Sequence, residues 1–366
     1  MDAPPVVLGL DFGGTKTALA VAQTDGTRLG SATRDTLAGL GAAASLAGAI
    51  QAARELLDTV APGRPLAAVG VATIGIPGED GVALAPNIPG WDNLALGREL
   101  REAFPGARIR LATDVKAAAR VEAESGALAG CDPAIYLNLG TGLAVAIVAN
   151  GSVIDGRNGA SGEIGYNLRR LDDVGLGAAQ RVPLEDAVSG KALMIEAAAL
   201  LPGNGGSGAH EDVGALAAEF FARAEAARSH GADPKPARLV DRFVAELSFH
   251  LVNLAIAVDP VRIAVGGGLV RSWAPIRDGL RRALDAAVPY PPELVRAAYP
   301  YDAPLLGALT LALAAARDGD GKGESGSDDT LSGTTLLDGI PHDGTLPKSA
   351  LPDDSAPAAQ RLSRRD

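Results

Sequence analysis

The sequence predicts an α/β fold built from two halves, and three observations lead to this prediction. Apolar runs with strand-like composition alternate with segments of helical periodicity along most of the chain, an alternation typical of α/β proteins. Two glycine-rich turns, DFGGT and NLGTG, each lie between two short apolar runs. At 366 residues, the chain is long enough for two domains that each bury a core.

The first glycine-rich turn lies within VVLGLDFGGTKTALAVA, between two β-like apolar runs. Gly13 and Gly14 can adopt backbone angles that are closed to other residues, and they carry no side chain that would block a ligand. Free N–H groups in such a turn, together with Thr15 and Lys16, suit a phosphate, and the Asp11 carboxylate suits hydrated Mg²⁺. The alternative is an ordinary glycine-rich hairpin, because the turn matches neither GxxxxGK(S/T) nor GxGxxG.

The remaining elements are predicted from apolar periodicity and from the glycines and prolines that interrupt it. In chain order they are a meander at 20–33, a helix at 46–60, strands at 67–76 and 109–112, a helix at 115–124, a second meander at 134–153, helices at 184–199, 213–227 and 238–258, a strand at 263–268 and a helix beginning near residue 275.

The second meander repeats the pattern of the first, with AIYLNLG and GLAVAIVANG on the two sides of a Gly-Thr-Gly turn. Two such turns, one in each half, can clamp a triphosphate from opposite walls of a cleft, because each presents backbone N–H groups. The later run IAVGGG ends a strand in three glycines. A turn without side chains at that position admits a planar base or its ribose.

Composition and charge restrict the kind of protein this can be. Hydrophobic residues make up 47% and charged residues 21% of the chain, a composition typical of globular proteins. The formal net charge of -11 argues against a nucleic-acid partner, because phosphate contacts need clustered Lys and Arg. The partner that we expect is therefore a small molecule.

Cysteine use and hydropathy bear on the compartment. Cys131 is the only cysteine, which excludes an internal disulfide and fits a reducing compartment. No basic N-terminal segment precedes an apolar run, and no apolar run reaches the length of about 20 residues that spans a bilayer. We expect a cytoplasmic location and no membrane partner.

Two segments are predicted to lack fixed structure. Residues 317–366 are rich in Gly, Ser, Asp and Pro without apolar periodicity, which predicts a disordered acidic tail. The glycine-rich segment 202–210 is predicted to be a mobile loop.

Six motifs resemble the ROK family of sugar kinases and related repressors in their order and spacing over about residues 5–315. They read DFGGTKT, APNIPGW, TDVKAAA, NLGTGLAVAIVANG, GASGEIG and VGGGL. The resemblance implies the two-domain actin-like ATPase (ribonuclease H-like) fold with a central cleft. It implies an N-terminal α/β domain at 1–116, with 301–316 packing back on it, and a C-terminal α/β domain at 117–300. It also implies a homodimer.

The resemblance also implies roles for individual residues. It makes Asp114 the catalytic base, and the chemistry agrees because a carboxylate can accept the proton of a sugar hydroxyl while the γ-phosphoryl group transfers. The alternative for Asp114 is a helix N-cap. The positions implied for ATP are Asp11, which also binds Mg²⁺, with Gly13, Gly14, Thr15, Lys16, Gly140, Thr141, Gly142, Gly266, Gly267 and Gly268. Those implied for the substrate are Gly75, Asn87, Thr113, Asp114, Glu163, Tyr166 and Glu185.

The loop after Glu163 departs from the family's usual pattern. Where the sugar kinases carry CxCGxxGCxE, this chain reads LRRLDDVGLGAAQRVPLED, so the usual structural zinc is not expected. We expect packing, or pairing of Arg169 and Arg170 with Asp172, Asp173 or Glu185, to hold this loop.

The sugar-reading positions depart as well. Thr113 and Tyr166 stand where the family's sugar kinases usually have Asn and His, the side chains that read ring hydroxyls. The resemblance therefore implies an ATP-dependent kinase that phosphorylates a primary hydroxyl of a hexose-like substrate other than glucose, favoured as a C7-cyclitol of the valiolone type. Glucokinase or another hexose kinase is the alternative. A non-catalytic ROK regulator is the alternative of another class, although the repressors carry a winged helix before the first turn and this chain reaches Asp11 at once.

Overall fold

The computed structural model describes residues 3–85, 88–200, 213–230 and 234–318. Asn87, the predicted mobile loop at 202–210 and the predicted tail from residue 319 lie outside these ranges.

The strands of the described residues follow the predicted alternation. They are β1 (Val6–Phe12), β2 (Lys16–Gln23), β3 (Arg28–Asp35), β4 (Leu66–Thr73), β5 (Ile76–Pro77), β6 (Val82–Ala83), β7 (Arg108–Thr113), β8 (Ala134–Leu139), β9 (Leu143–Ala149), β10 (Ser152–Val153), β11 (Arg262–Gly266) and β12 (Glu293–Arg296).

The α-helices form where apolar residues recur at helical spacing. They are α1 (Ala42–Val60), α2 (Leu96–Ala103), α3 (Asp114–Ser125), α4 (Gly190–Leu200), α5 (Val213–His230), α6 (Lys235–Val258), α7 (Trp273–Ala287) and α8 (Ala303–Arg317). In α1, for example, Leu46, Ala49, Ala53 and Leu56 are buried along one face, as the spacing of three and four residues requires. Within the described ranges, no helix is long and apolar enough to cross a membrane.

Two five-stranded mixed sheets organise these elements. The first has the order β3-β2-β1-β4-β7 and the second the order β10-β9-β8-β11-β12. In each sheet an antiparallel meander adjoins parallel strands, because β1 pairs antiparallel with β2 and parallel with β4, while β8 pairs antiparallel with β9 and parallel with β11. The internal repeat that the sequence predicts, a glycine turn between two apolar strands, therefore occupies the same place in both sheets.

Helix α8 packs on the first sheet at two glycines. A Cβ atom on Gly9 would lie 2.9 Å from the Leu309 side chain, and one on Gly70 would clash with the Ala308 carbonyl. Helix α3 crosses α8 as closely, because a Cβ atom on Gly307 would clash with the Ala117 carbonyl. Helix α3 also contacts β8 and β9 of the second sheet. The helix that begins at Asp114 thus touches both sheets.

The structure differs from the predicted elements after Leu184. A helix was expected from that residue, but 184–186 forms a 3-10 turn and α4 begins only at Gly190. The Gly190 amide donates to the Gly140 carbonyl at 2.8 Å, so this segment follows the glycine turn of the second sheet instead of continuing as one helix. Helix α2, the β5–β6 hairpin and β12 were not predicted, because each is short: α2 has eight residues and the three strands have four or fewer.

Candidate active site

The turn between β1 and β2 is closed by its own backbone. The Gly13 amide donates to the Lys16 carbonyl at 3.0 Å, and the Thr36 hydroxyl donates to the Gly13 carbonyl at 2.8 Å. Neither Gly13 nor Gly14 has a positive φ, so neither uses the backbone angles that are closed to other residues. A Cβ atom on Gly13 would lie 2.8 Å from the Lys16 carbonyl oxygen, whereas one on Gly14 would meet nothing within 4 Å. Gly13 is needed for close packing, and Gly14 leaves open space.

The turn between β8 and β9 is also closed by a bond of its own backbone. The Gly140 amide donates to the Gly142 carbonyl at 3.1 Å, and the carbonyls of Gly140 and Thr141 accept from the first amides of α4 at 2.8 and 3.2 Å. A Cβ atom on Gly142 would lie 2.5 Å from Glu185 Oε2. Glycine is therefore required at Gly142 by an acidic side chain that lies directly beside the turn.

Both turns keep backbone donors available. In the part of the chain that the structure describes, the amides of Gly14 and Thr15 in the first turn have no hydrogen-bond acceptor, and the same holds for Thr141 and Gly142 in the second. Thr15 and Thr141 are exposed. Unpaired amides grouped in a glycine-rich turn are the backbone arrangement that binds phosphate oxygens.

The third glycine group lies at the base of the second turn. Gly267 has φ 89°, donates its amide to the Pro300 carbonyl at 3.1 Å and has no room for a Cβ atom because the Leu139 carbonyl lies against it. The space beside Gly266 is filled by the Tyr136 hydroxyl. Gly266 therefore packs inside the second sheet, while Gly267 and Gly268 continue beyond its edge.

Asp114 is the first residue of α3, directly after β7. Its Oδ1 accepts from the Val115 amide at 2.9 Å. The residue before it, Thr113, is the N-cap, and its hydroxyl oxygen accepts from the Lys116 amide at 3.2 Å. The capping role that was the alternative for Asp114 therefore belongs to Thr113.

Burial and neighbouring carboxylates raise the pKa values of two aspartates of the site, Asp114 and Asp11. Burial and the charge of Glu185 raise the pKa of Asp114 to about 6, although the amides of Val115 and of Asp114 itself act in the other direction. Burial and the charges of Asp114 and Asp302 raise the pKa of Asp11 to about 8. Asp114 is thus electrostatically linked to the first turn through Asp11 and to the second through Glu185.

Glu185 is tied directly to the second turn. Its Oε2 accepts from the Leu143 amide at 2.8 Å, one residue after Gly142. Glu163, partly buried, precedes the 3-10 turn at Ile164–Tyr166. Burial and the charge of Asp114 raise the pKa of Glu163. Glu163 and Glu185 therefore lie in the electrostatic surroundings of Asp114.

Tyr166 and Gly75 belong to the surroundings of these acids in different ways. Tyr166 is 40% exposed, and burial of its ring together with the charges of Glu185, Glu163 and Asp186 raises its pKa. Gly75 has φ 75°, and a Cβ atom there would lie 2.6 Å from the Ala83 carbonyl oxygen. The β5–β6 hairpin thus has a structural need for glycine at residue 75.

The loop that replaces the zinc motif is held by pairs other than those expected. The Arg169 guanidinium binds Glu246 of α6, with Nη2 3.1 Å from Oε2 and a second contact between Nε and Oε1. Asp173 accepts from the backbone amides of Arg169 and Arg170, each at 3.0 Å. The guanidinium of Arg169 thus pairs with an acid 77 residues away and not with a nearby one, whereas the expected Asp173 binds the backbone amides of Arg169 and Arg170.

Sequence reasoning missed two charged residues of this region. Lys116 is buried two residues after Asp114, and Asp302 precedes α8 without a side-chain capping bond. A lysine within the alanine-rich motif TDVKAAA was the available signal for the first. Nothing local distinguished Asp302, since its effect on Asp11 arises only when α8 returns to β1.

Comparisons with known proteins bear on the family and the fold. The family model described as the ROK family matches residues 7–315. Kanosamine kinase of Amycolatopsis mediterranei is 31% identical over 273 residues, which is 72% of this chain and 80% of that protein. The ROK hexokinase of Thermus thermophilus superimposes with a TM-score of 0.67 at 30% identity, covering 86% of this chain and 100% of that one.

A second solved structure, a ROK family glucokinase from Streptomyces griseus in complex with glucose and AMPPNP, superimposes with a TM-score of 0.63 at 26% identity. It covers 84% of this chain and 98% of that one. The predicted resemblance and the actin-like ATPase fold are thereby confirmed. On the match over residues 7–315 and the 31% identity to a relative that is covered over most of its length, the chain belongs to the ROK family.

Proposed function

We propose that this protein is an ATP-dependent kinase that transfers the γ-phosphoryl group to a primary hydroxyl of a hexose-like polyol. The observation that carries the proposal is Asp114 itself. It is a carboxylate with a raised pKa at the start of α3, and it is linked electrostatically to Asp11 at one glycine turn and to Glu185 at the other. The names of the relatives, kanosamine kinase, hexokinase and glucokinase, support a sugar kinase.

In this proposal the two turns bind the phosphates of ATP. The unpaired amides of the first turn, with the Thr15 hydroxyl and the Lys16 ammonium, face one side of the triphosphate, and those of Thr141 and Gly142 face the other. Gly267 and Gly268, at the base of the second turn, lie on the adenosine side. The solved relative that holds AMPPNP supports an adenine nucleotide.

Asp11 fits a magnesium ion. Among the described residues its carboxylate has no hydrogen-bond donor, and burial, together with the charges of Asp114 and Asp302, opposes its ionisation. A divalent cation would compensate this charge. Within the described ranges no three His, Cys, Asp or Glu side chains are grouped closely enough to hold a metal alone, which suits Mg²⁺ bound through a carboxylate, water and substrate phosphates. The ion would neutralise charge on the transferring phosphoryl group.

Asp114 acts as the general base on the acceptor hydroxyl. With a pKa of about 6, it is ionised near neutral pH and holds a proton more strongly than an ordinary aspartate. In this proposal Oδ1 of Asp114 remains bonded to the Val115 amide, and Oδ2 accepts the proton of the acceptor hydroxyl. The reacting groups meet in a cleft between two domains. One is formed by residues 1–116 together with 301–316, and the other by residues 117–300.

The acceptor that we propose is a C7-cyclitol of the valiolone type, with glucose or another hexose as the alternative. Support comes from Thr113, whose hydroxyl oxygen binds the Lys116 amide, and from Tyr166, because neither supplies the amide and imidazole that usually read glucose hydroxyls. A site whose buried donors and acceptors differ from those of a glucose kinase discriminates against glucose. Gly75, Asn87, Glu163, Tyr166 and Glu185 complete the proposed acceptor site.

A panel of acceptors tests this proposal. Purified protein with ATP and Mg²⁺ is expected to release ADP faster with valiolone, kanosamine or another hexose-like polyol than with none. Glucose is expected to be a poor acceptor, and a glucose kcat/KM near 10⁵ M⁻¹s⁻¹, well inside the ordinary enzyme range, would support a glucokinase instead. Acceptor binding by calorimetry without ADP release for any compound would contradict the kinase and favour a non-catalytic regulator.

We also propose a homodimer formed through the loop at 167–174 and the adjoining face of α6. Leu171 is 91% exposed and Phe249 is 61% exposed. The loop lies against α6, since Asn167 Nδ2 is 3.3 Å from His250 Nδ1. Exposed apolar side chains on two elements that lie against each other suit a self-complementary interface.

The dimer is tested by sedimentation of the wild type and of Leu171→Asp. A carboxylate in an apolar interface is costly to bury, so the variant is expected to sediment as a monomer and the wild type as a dimer. Leu40→Asp, at a leucine that is 72% exposed outside the proposed interface, is the control and should remain dimeric. A monomeric wild type at micromolar concentration contradicts the proposal.

We also propose that the protein is cytoplasmic, in keeping with its single cysteine, Cys131, and with the use of ATP.

A further inference from the structure

Lys116 is a buried cation that holds a loop. Only 4% of its side chain is exposed. Its Nζ donates to the carbonyls of Asp155 at 2.9 Å and Gly159 at 2.6 Å, and it lies 3.4 Å from Asp155 Oδ1. A buried ammonium is costly unless several oxygens compensate its lost hydration. Here three oxygens, all from residues 155–159, surround it.

The loop at 155–163 is shaped to present those oxygens. Its glycines at 156, 159 and 162 all have positive φ, and the Ser161 amide donates to the Asp155 carbonyl at 3.1 Å. The Gly162 carbonyl accepts from the Val145 amide at 2.9 Å, which anchors the end of the loop to β9. The beginning and the tip are held by Lys116 on α3.

This one side chain connects three parts of the candidate site. Its own helix begins with Asp114, two residues earlier. The loop that it binds runs into Glu163. The loop tip also touches the β5–β6 hairpin, because a Cβ atom on Gly159 would lie 2.8 Å from the Ile76 side chain, next to Gly75. Lys116 therefore links Asp114, the proposed base, to the loop that leads to Glu163, the proposed acceptor-binding acid. Through the same loop it is connected to the hairpin next to Gly75.

We propose that Lys116 is a positioning residue that fixes Glu163 and the loop at 155–163 relative to Asp114, and thereby aligns the acceptor hydroxyl with the base. This inference rests on the proposed kinase function. Its charge has a second effect, because Lys116 acts to lower the pKa of Glu163 against the burial and the neighbouring carboxylates that raise it. Lys116 thus favours the ionised form of Glu163, which is the form that accepts hydrogen bonds from a polyol.

Steady-state kinetics of Lys116→Met test the proposal. Methionine keeps the length and apolar stem but removes the charge and the donors. The KM for the acceptor is expected to rise by about 10–100-fold, the scale on which misplacement of a bound group acts, while the KM for ATP stays within about twofold. The acidic limb of the acceptor kcat/KM profile should also move to higher pH. Lys116→Arg, which keeps the charge, should recover part of the acceptor affinity.

Arg120→Met is the matched control, because it removes a half-buried cation from the same helix, one turn later. It is expected to leave both KM values near those of the wild type. An unchanged acceptor KM in folded Lys116→Met, or an equal change in Arg120→Met, would overturn the positioning role. If Lys116→Met does not fold, Lys116→Gln, which retains an amide donor, should show the same selective rise at smaller amplitude, and its absence there overturns the proposal as well.

Hydrogen exchange separates this inference from the proposed function. In Lys116→Met the amides of Ser161 and Glu163 are expected to exchange about tenfold faster or more, because the loop has lost its tie, while the Gly13 amide in the first turn keeps its rate. Unchanged exchange at Ser161 and Glu163 contradicts the tie even in a protein that phosphorylates no acceptor. If exchange is faster in Lys116→Met but the wild type shows no kinase activity, Lys116 holds the loop and the proposed kinase function is rejected.

Discussion

Asp114→Asn is expected to lower kcat by about 10²–10⁴-fold with a much smaller loss of acceptor and ATP binding. Asparagine keeps the shape and can still accept from the Val115 amide, but it has no basic oxygen for the acceptor proton. Steady-state kinetics with the best acceptor of the panel measure the effect. An unchanged kcat would place the base elsewhere, with Glu163 the next candidate.

Thr113→Ala is the control for the helix start. It removes the N-cap that accepts from the Lys116 amide, a loss of about 0.5–2 kcal/mol of stability, and leaves the Asp114 carboxylate in place. Its kcat should fall far less than that of Asp114→Asn. Equal losses in the two variants would mean that distortion of α3, and not removal of a base, explains the result.

The same carboxylate sets the pH dependence. Burial and Glu185 raise the pKa of Asp114 to about 6, and the protonated acid cannot accept a proton. The kcat is therefore expected to fall as pH decreases through about 6 and to be level above that value. The low residual rate of Asp114→Asn should lack this limb. A wild-type rate that stays constant down to pH 4.5 would contradict the assignment.

Asp11→Asn is expected to abolish most phosphoryl transfer while making the metal-free protein more stable. Loss of the magnesium ligand should reduce kcat/KM by about 10²–10³-fold or more, the scale of one lost charge-stabilising group. The folded pKa of Asp11 is about 8, above that of an unfolded aspartate, so the folded state binds the proton more tightly. Asp11 therefore destabilises the wild type increasingly as pH rises from about 4 to about 8, and the variant escapes this loss.

Thermal unfolding without Mg²⁺ or nucleotide measures the stability part. The melting temperature of Asp11→Asn should exceed that of the wild type by a difference that grows between pH 4 and pH 8 and is then level. Addition of Mg²⁺ and ATP should raise the melting temperature of the wild type more than that of the variant. A variant that is less stable than the wild type at pH 8, or that turns over ATP normally, would refute the role of Asp11. Asp25→Asn, at an exposed aspartate bonded to Thr27, is the control and should not change Mg²⁺ binding.

The sequence predicted the parts of the fold that depend on local pattern. The two glycine turns, the strands on either side of them and the position of Asp114 between a strand and a helix all follow from short-range periodicity and from glycine placement. Boundaries failed where a distant contact decides them. The helix expected from Leu184 begins at Gly190 because the Gly190 amide binds Gly140, a contact between residues that no local pattern relates.

The contacts that assemble the site were also beyond the sequence. The partner of Arg169 is Glu246 and not a nearby acid, because α6 lies against the loop. Lys116 binds a loop about 40 residues away, at Asp155 and Gly159. Side-chain pairs across such separations are determined by how the sheets and helices pack, which apolar periodicity does not specify. The role of Gly13 could not be predicted for the same reason. Glycine is needed there because the Lys16 carbonyl lies close to it, and not because of an unusual backbone angle.

Phosphorus NMR of the products tests the central claim most directly. Wild-type protein with ATP, Mg²⁺ and the best acceptor of the panel is expected to form ADP together with one phosphomonoester in equal amount. The phosphomonoester signal should be split by the two protons of a primary carbon, and the same mixture with Asp114→Asn should form almost none of it. ADP that accumulates only with inorganic phosphate, or no phosphomonoester from any acceptor that binds, would contradict a polyol kinase with Asp114 as its base.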